Sequence, residues 1–132
     1  ITQSQHEAID RTIQLMMADT YTEDGGIQPE KYIDMDWLEK DIRQWCAQKN
    51  TEAIKSGSTA LGVFYKRSSV SAFRIAMLCQ YLYGLNGDMD GDEGRVRRQV
   101  KRIYIAMAEL ILSGMLDKWG RRYEDLQAKR SL

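Results

Sequence analysis

The sequence is poor in the residues that several fold and site classes require. It has one proline, two phenylalanines, two cysteines and one histidine among 132 residues. So little proline and phenylalanine favours helices over a many-stranded sheet. Two distant cysteines provide neither a disulfide framework nor a clustered zinc site, and a single histidine argues against a histidine-based metal centre. We therefore expect Cys46 and Cys79 to be buried free thiols in a reducing compartment.

Other absences limit the cellular setting and the chemistry. No apolar run reaches the roughly 18 to 20 residues of a membrane span. The first ten residues, ITQSQHEAID, lack the basic and apolar regions of a signal peptide. We therefore expect a cytoplasmic chain without a membrane partner. The sequence also has no Walker A loop, G-x-G-x-x-G motif or G-x-S-x-G nucleophile elbow, so it predicts no catalysis by this chain alone and no cofactor.

Charge is balanced overall but divided between the two halves of the chain. The formal net charge is zero, yet residues 1–65 hold 11 acidic and 6 basic residues, while residues 66–132 hold 8 and 13. A zero total argues against a free-standing DNA-binding protein. The division favours either a nucleic-acid or partner face on the basic half, or attraction between the two halves inside one fold.

Helical periodicity of the apolar residues predicts an all-α fold. We expect a first helix over residues 4–20, started by a capping box in SQHE, residues 4–7. A second helix is expected from about residue 34 to residue 54, started by a similar box in DWLE, residues 36–39. With the segments that follow, the pattern predicts a helical bundle of four to six helices.

The most apolar segment, VFYKRSSVSAFRIAMLCQYLYG at residues 63–84, predicts the central helix of this bundle. Such a segment is apolar nearly all round, which is typical of a helix covered by its neighbours. We expect Gly57 and Gly62 to interrupt the chain before it and Gly84 to end it. Its predicted apolar stripe consists of Val70, Phe73, Met77 and Tyr81.

A basic face is predicted on the last long helix, which should begin near Asp92 or Glu93. In RVRRQVKR, the residues Arg95, Arg98 and Arg102 share one stripe of a helix. A neighbouring stripe carries Arg97 and Lys101. Such a face can follow the phosphates of a nucleic acid. The alternative is an ordinary solvated face balanced by the acidic half of the chain. A second basic patch lies near the C-terminus, at Lys118, Arg121, Arg122, Lys129 and Arg130.

The acidic loop before that helix has part of the pattern of a calcium loop. Starting at Asp88, the chain has carboxylates at positions 1, 3 and 5. Position 6 is Glu93 instead of glycine, and position 12 is Gln99 instead of glutamate, so the turn residue and the bidentate ligand are both missing. We predict a solvated acidic turn that caps the next helix, with a weak cation site as the alternative.

The arginine within the most apolar helix requires an explanation. Arg74 lies seven residues after Arg67, so both are on one face, and Lys66 adjoins them. Burial of an unpaired guanidinium costs several kcal/mol. We therefore expect one of two arrangements. Arg74 is paired with a carboxylate or carbonyl group, which the acidic half of the chain could supply, or it lies on a functional surface. In the second case Arg67 and Arg74 would reach a phosphate or a neighbouring subunit.

The segment IKSGSTALGVFYKRSSVSAFRIAMLCQYLYG resembles the C-terminal helical region of primase/helicase-like replication proteins of phages and conjugative mobile elements. The residues that carry the resemblance are Phe64, Tyr65, Lys66, Arg67, Ser68, Val70, Phe73, Arg74, Ala76, Met77 and Leu78. It covers about residues 35–120. It implies a non-catalytic module attached to an ATPase, with an intersubunit or nucleic-acid role for Arg67 and Arg74. Because the chain lacks nucleotide-binding motifs, ATP binding does not follow.

Residues 1–132 are thus expected to form a single helical domain, a fragment of a longer protein. The expected function is that of a non-catalytic domain of a mobile-element DNA replication protein, supporting nucleic-acid handling or oligomer assembly. The alternative is a helical protein-interaction or structural module without nucleic-acid contact. DNA, the ATPase portion of the same protein and further copies are the expected partners. The candidate contact residues are Lys66, Arg67, Arg74, Arg95, Arg98, Lys101 and Arg102.

Overall fold

The computed structural model describes residues 1–88 and 91–131, and within them the protein is an all-α bundle, as predicted. A 3₁₀ turn, Asp36–Leu38, precedes the second helix, and a π-helical turn, Leu116–Gly120, joins the last two. The helices are α1 (Gln3–Thr20), α2 (Glu39–Ser56), α3 (Thr59–Leu85), α4 (Glu93–Met115) and α5 (Arg121–Ser131).

α1 begins earlier than predicted because its capping box lies two residues upstream. The Thr2 hydroxyl accepts a hydrogen bond from the Gln5 N–H at 3.1 Å, and the Gln5 side chain accepts one from the Thr2 N–H at 2.9 Å. The predicted box at residues 4–7 is therefore wrong. Both tetrads satisfy the capping pattern, and the earlier one gives a longer helix. After α1, Tyr21 forms an isolated antiparallel bridge with Ile27.

The chain enters α2 through the 3₁₀ turn, and the predicted capping box at residues 36–39 is not used. Tertiary hydrogen bonds fix this segment instead. The Trp37 indole N–H donates to the Gln80 side-chain oxygen at 3.1 Å, and the Gln80 amide donates to the Asp34 carbonyl at 2.8 Å. The last residue of the turn, at the N-cap position of α2, is fully buried. Packing against α3 therefore decides where α2 begins.

Only one of the three predicted glycine breaks around α3 is correct. Gly57 ends α2 in the left-handed conformation at φ 70°, and Ser58 caps α3. Gly62 and Gly84 lie inside α3, so the predictions that they interrupt or end it are wrong; the left-handed residue beyond the helix is Gly87. Packing of α3 against its neighbours outweighs the roughly 1 kcal/mol by which an interior glycine disfavours a helix.

α3 is the central helix, as predicted, and contacts α1, α2, α4 and the π-helical turn. The face that it buries differs from the predicted stripe, since Val70 is 53% exposed. Most of the buried residues are small, and six of the eight recur every four positions: Ala60, Phe64, Ser68, Ala72, Ala76 and Gln80. The other two are Tyr65 and Ser69. Small side chains allow a neighbouring helix to approach closely, which large ones at the same positions would prevent.

α4 packs antiparallel to α3 along this face. Its fully buried residues follow the same spacing: Val96, Val100, Tyr104 and Ala108. The Ser68 hydroxyl donates to the Ala108 carbonyl, and the hydroxyls of Ser69 and Tyr104 are hydrogen-bonded at 2.8 Å. Asp92 caps the start of α4 by accepting from the Arg95 N–H at 2.9 Å, which confirms the predicted position of this helix start.

Candidate nucleic-acid interface

The first basic surface is a row of three arginines on α4, Arg95, Arg98 and Arg102, which we call the α4 arginine row. All three side chains are exposed, and their spacing of three and four residues places them on one face of the helix. Within residues 1–88 and 91–131, none of the three forms an ion pair. The row therefore presents three positive charges to solvent without a carboxylate that would neutralise them.

The two other cations of this segment are held by carboxylates. Lys101 Nζ lies 2.7 Å from Asp41 Oδ1 of α2, and Arg97 Nη2 lies 2.7 Å from Glu93 Oε1. The Arg97 guanidinium also lies over the Trp37 ring, 5.5 Å from its centroid. These contacts brace α4 against α2 and the 3₁₀ turn. Lys101, predicted as a contact residue, is thus paired with a carboxylate of α2, unlike the α4 arginine row, although its side chain is 45% exposed.

The second basic surface lies on α3 and consists of Lys66, Arg67 and Arg74, which we call the α3 basic row. All three are exposed. Arg74 forms neither an ion pair nor a hydrogen bond with any residue that the structure describes, so the expectation of an internal carboxylate or carbonyl partner is wrong. Arg74 needs no such partner because it lies on the side of α3 that faces away from the buried residues and remains hydrated.

The two basic rows lie on different helices and do not form one surface. The buried faces of α3 and α4 meet, as the Ser68–Ala108 and Ser69–Tyr104 hydrogen bonds demonstrate. The α4 arginine row and Arg74 lie on the sides of their helices that face away from that contact, whereas Arg67 lies beside the end of α4. The structure therefore does not bring the seven predicted contact residues onto one surface.

A network between α2, α3 and α4 contains polar residues that the sequence did not single out. Lys49 is its centre, with a side chain only 12% exposed. Its ammonium lies 2.9 Å from Glu109 and 3.4 Å from Glu52, and over the rings of Trp45 and Tyr65. Burial opposes the charge of Lys49, but hydrogen bonding and attraction to Glu109, with a contribution from Glu52, raise its pKa overall. The network therefore links α2, α3 and α4 and stabilises the bundle.

An apolar groove of about 420 Å³ lies where the start of α3 meets α5, and we call it the C-terminal groove. It is lined by Phe64, Arg67, Met115, Trp119, Arg122 and Leu126. It thus combines Arg67 of the α3 basic row with Arg122 of the predicted C-terminal patch. The side chain of Arg121, from the same patch, lies outside the described part of the structure. This groove could not be predicted from the sequence, because Arg67 and Arg122 are 55 positions apart.

The described residues provide little evidence for a metal site or a nucleophilic catalytic site. In residues 1–88 and 91–131 there is no group of three histidine, cysteine or acidic side chains that could hold a metal ion. Of the acidic loop, Asp92 caps α4, and Asp90 lies outside the described residues. Cys46 and Cys79 are free and only partly buried, and burial raises the pKa of the Cys79 thiol.

Two findings complete the description of the candidate interface. None of the helices, searched over the described residues, is long and apolar enough to cross a membrane. The chain matches no protein-family model, no curated protein and no solved structure. The function must therefore be argued from the surfaces themselves.

Proposed function

We propose that this chain is the non-catalytic helical domain of a cytoplasmic mobile-element DNA replication protein and that its α4 arginine row contacts the nucleic-acid backbone. The observation that carries the proposal is the difference between neighbouring cations on one helix. Arg97 and Lys101 have carboxylate partners, whereas the α4 arginine row has none among the described residues. Exposed guanidinium groups without a protein partner are suited to bind phosphate.

The length of the row fits this role. From Arg95 to Arg102 the helix rises by about 10 Å, which corresponds to about three nucleotide steps along one strand of duplex DNA. Contacts of this kind fix the position of a protein on DNA and carry no sequence information. The proposal is therefore a sequence-independent contact whose affinity depends on salt. Attachment to an ATPase portion, as the family resemblance implies, would supply the activity that this domain supports.

Salt-dependent DNA binding tests the proposal. Three phosphate contacts predict that affinity for duplex DNA falls about 40-fold between about 50 and 200 mM salt. In the variant Arg95→Gln/Arg98→Gln/Arg102→Gln this salt dependence should nearly disappear, since each lost contact reduces the slope by about 0.9. Fluorescence anisotropy of a labelled duplex of arbitrary sequence, titrated at several salt concentrations, measures both quantities.

The α3 basic row supplies a matched control. The variant Lys66→Gln/Arg67→Gln/Arg74→Gln removes the same number of charges from α3 instead of α4. Its salt dependence should remain close to that of the unmodified chain. Equal losses in the two triple variants would show that only total charge matters, and the assignment to α4 would then be wrong.

The second candidate is a protein-interaction module without nucleic-acid contact. It is favoured by apolar side chains on the solvent face of α3, where Val63, Val70 and Leu78 are 38%, 53% and 50% exposed. These residues alternate with Arg67 and Arg74, and a mixed apolar and arginine surface is typical of protein interfaces. Absence of any salt-dependent DNA binding, together with self-association or capture of an ATPase partner, would favour this candidate over the first.

A further inference from the structure

α1 presents an apolar face that its own chain does not cover. Ile9, Ile13 and Met17 recur every four residues, so they lie on one side of α1, and they are 47%, 49% and 55% exposed. We call them the α1 apolar row. Among the described residues of α1, Gln3–Thr20, none is buried. A contiguous apolar row on a helix without buried residues is the signature of a surface that packs against something else.

The contacts that hold α1 are concentrated at its C-terminal end. Asp19 accepts a hydrogen bond from the Tyr81 hydroxyl at 2.8 Å and pairs with Lys31. These groups attach the end of α1 to the end of α3 and leave the α1 apolar row outside the contact. An isolated helix of this length is only marginally stable in water. Burial of the α1 apolar row against a partner would therefore stabilise the helix itself.

The C-terminal groove has the complementary properties. Its walls are apolar and aromatic, from Phe64, Met115, Trp119 and Leu126. The charged side chains among its described lining residues are Arg67 and Arg122, and neither forms an ion pair within residues 1–88 and 91–131. The groove thus fits an apolar ridge that carries negative charge beside it.

α1 has both features of such a ridge. Asp10 adjoins the α1 apolar row, and Glu7 lies one turn before Asp10, where it accepts a hydrogen bond from the Gln3 side chain at 3.4 Å. Both carboxylates are exposed, and neither is paired with a cation in the described residues. The two carboxylates on α1 therefore match the charge of the two guanidinium groups at the groove. This complementarity agrees with the net acidic charge of residues 1–65 and the net basic charge of residues 66–132.

One copy of the chain does not satisfy both surfaces. α1 is attached near Tyr81, and the groove lies at Phe64 and Arg67, at least 14 residues away along α3. That separation corresponds to about 21 Å. We propose that the α1 apolar row of one copy binds in the C-terminal groove of a second copy. This self-assembly would give the second candidate function a defined partner, namely another copy of the chain. It requires no contact with DNA.

The contact joins two different surfaces, so it is head-to-tail. A bound pair still has one free α1 and one free groove, and assembly continues until a ring closes or an open chain of copies forms. The surface that a single helix row and groove can bury is small. We expect a weak interface with a dissociation constant of about 100 µM.

Sedimentation of the unmodified chain, without nucleic acid, tests this assembly. The average mass should rise continuously with concentration instead of stopping at a dimer. In one variant, Ile9→Ser/Ile13→Ser, and in another, Arg67→Glu/Arg122→Glu, self-association should weaken at least about tenfold. A mixture of these two variants should form a one-to-one complex that grows no further, because each retains one intact surface. Circular dichroism checks that both variants remain helical.

The control variant Ile27→Ser/Ile54→Ser removes two isoleucines that are 78% and 73% exposed elsewhere on the surface, and it should assemble like the unmodified chain. Equal weakening in this control, or no complex in the mixture, would overturn the proposal. So would a chain that stays monomeric at about 0.5 mM, several times the expected dissociation constant. If that monomer instead bound a short single-stranded oligonucleotide through Arg67 and Arg122, the groove would belong to nucleic acid. None of these results depends on the α4 arginine row.

Discussion

Replacing Lys49 or Arg74 by methionine should affect stability very differently, although both are cations on helices of the central bundle. The Lys49 side chain is 12% exposed and contacts two carboxylates and two aromatic rings. Arg74 is exposed and has no partner in the described ranges. We expect Arg74→Met to change the free energy of unfolding by less than about 0.5 kcal/mol.

The expected cost of Lys49→Met follows from its contacts. Glu109 and Glu52 are both 46% exposed, so each ion pair contributes at most about 1 kcal/mol. Each cation–π contact adds about 0.5 kcal/mol, and the methionine retains the packing of the lysine methylene groups. These contributions overlap, and the net loss should be about 1 to 2 kcal/mol. Since the pKa of Lys49 is raised, its contribution is fully present at neutral pH and disappears only as the pH rises through the folded-state pKa.

Urea unfolding followed by circular dichroism measures both effects. The midpoint should fall for Lys49→Met without a change in slope and should stay constant for Arg74→Met. A Glu109→Gln variant, alone and combined with Lys49→Met, should show a coupling of about 0.5 to 1 kcal/mol. A loss above about 1 kcal/mol for Arg74→Met would mean that its guanidinium has a partner after all, and the assignment of α3's exposed face would be wrong.

Three further measurements test the interior. Burial raises the pKa of the Tyr104 phenol, and its hydrogen bond to Ser69 partly offsets this rise. The free energy of unfolding should therefore be constant below about pH 10 and fall above it, and the fall should be less steep in the Tyr104→Phe variant. In a Cys46→Ser variant, the remaining Cys79 should react with iodoacetamide more slowly in the folded protein than in urea, and equal rates would contradict its burial. Ala76→Leu should cost about 2 to 3 kcal/mol in urea unfolding, because the side chain is fully buried against α4, and a neutral result would exclude the close helix contact.

Periodicity in the sequence was sufficient to predict the helices but not their ends. The four long helices were each predicted, and the start of α4 at Asp92 was correct. The starts of α1 and α2 were not, because several Ser, Thr and Asp residues near a helix start are equivalent as caps in the sequence. The choice between them depends on tertiary contacts, such as the hydrogen bond between Trp37 and Gln80.

The contact face of α3 was missed for a different reason. A search for large apolar residues selects Val70 and Phe73, whereas the face that meets α4 carries Ser68, Ala72 and Ala76. Small residues have little hydrophobicity, and their value lies in the close approach that they permit, which only the partner helix reveals. The feature of the sequence that indicates this contact face is the recurrence of a serine or alanine at every fourth position.

The candidate interface shows the same dependence on distant residues. The sequence grouped Lys101 with its basic neighbours because their spacing is helical. Its carboxylate partner, Asp41, lies 60 positions earlier in the chain. Spacing predicts which cations share a face, but it does not indicate which of them an acidic residue from another helix will neutralise. For the same reason Arg74 could not be assigned to the interior or the surface before the packing of α3 was known.

The π-helical turn Leu116–Gly120 has a consequence for how the last helix is oriented. α5 follows α4 with no loop between them, so its direction and rotation are set by the backbone hydrogen bonds of one wide turn. The five residues of this wide turn rotate the chain about as far as four residues of a regular α-helix, so deleting one of them would restore a regular helix and leave α5 close to its present rotation. Inserting one residue would instead rotate α5 by about 100° about its axis. Trp119 and Leu126 would then point elsewhere, although every helix would stay intact. The turn should therefore tolerate the loss of one residue, whereas the gain of one should change the direction in which α5 faces.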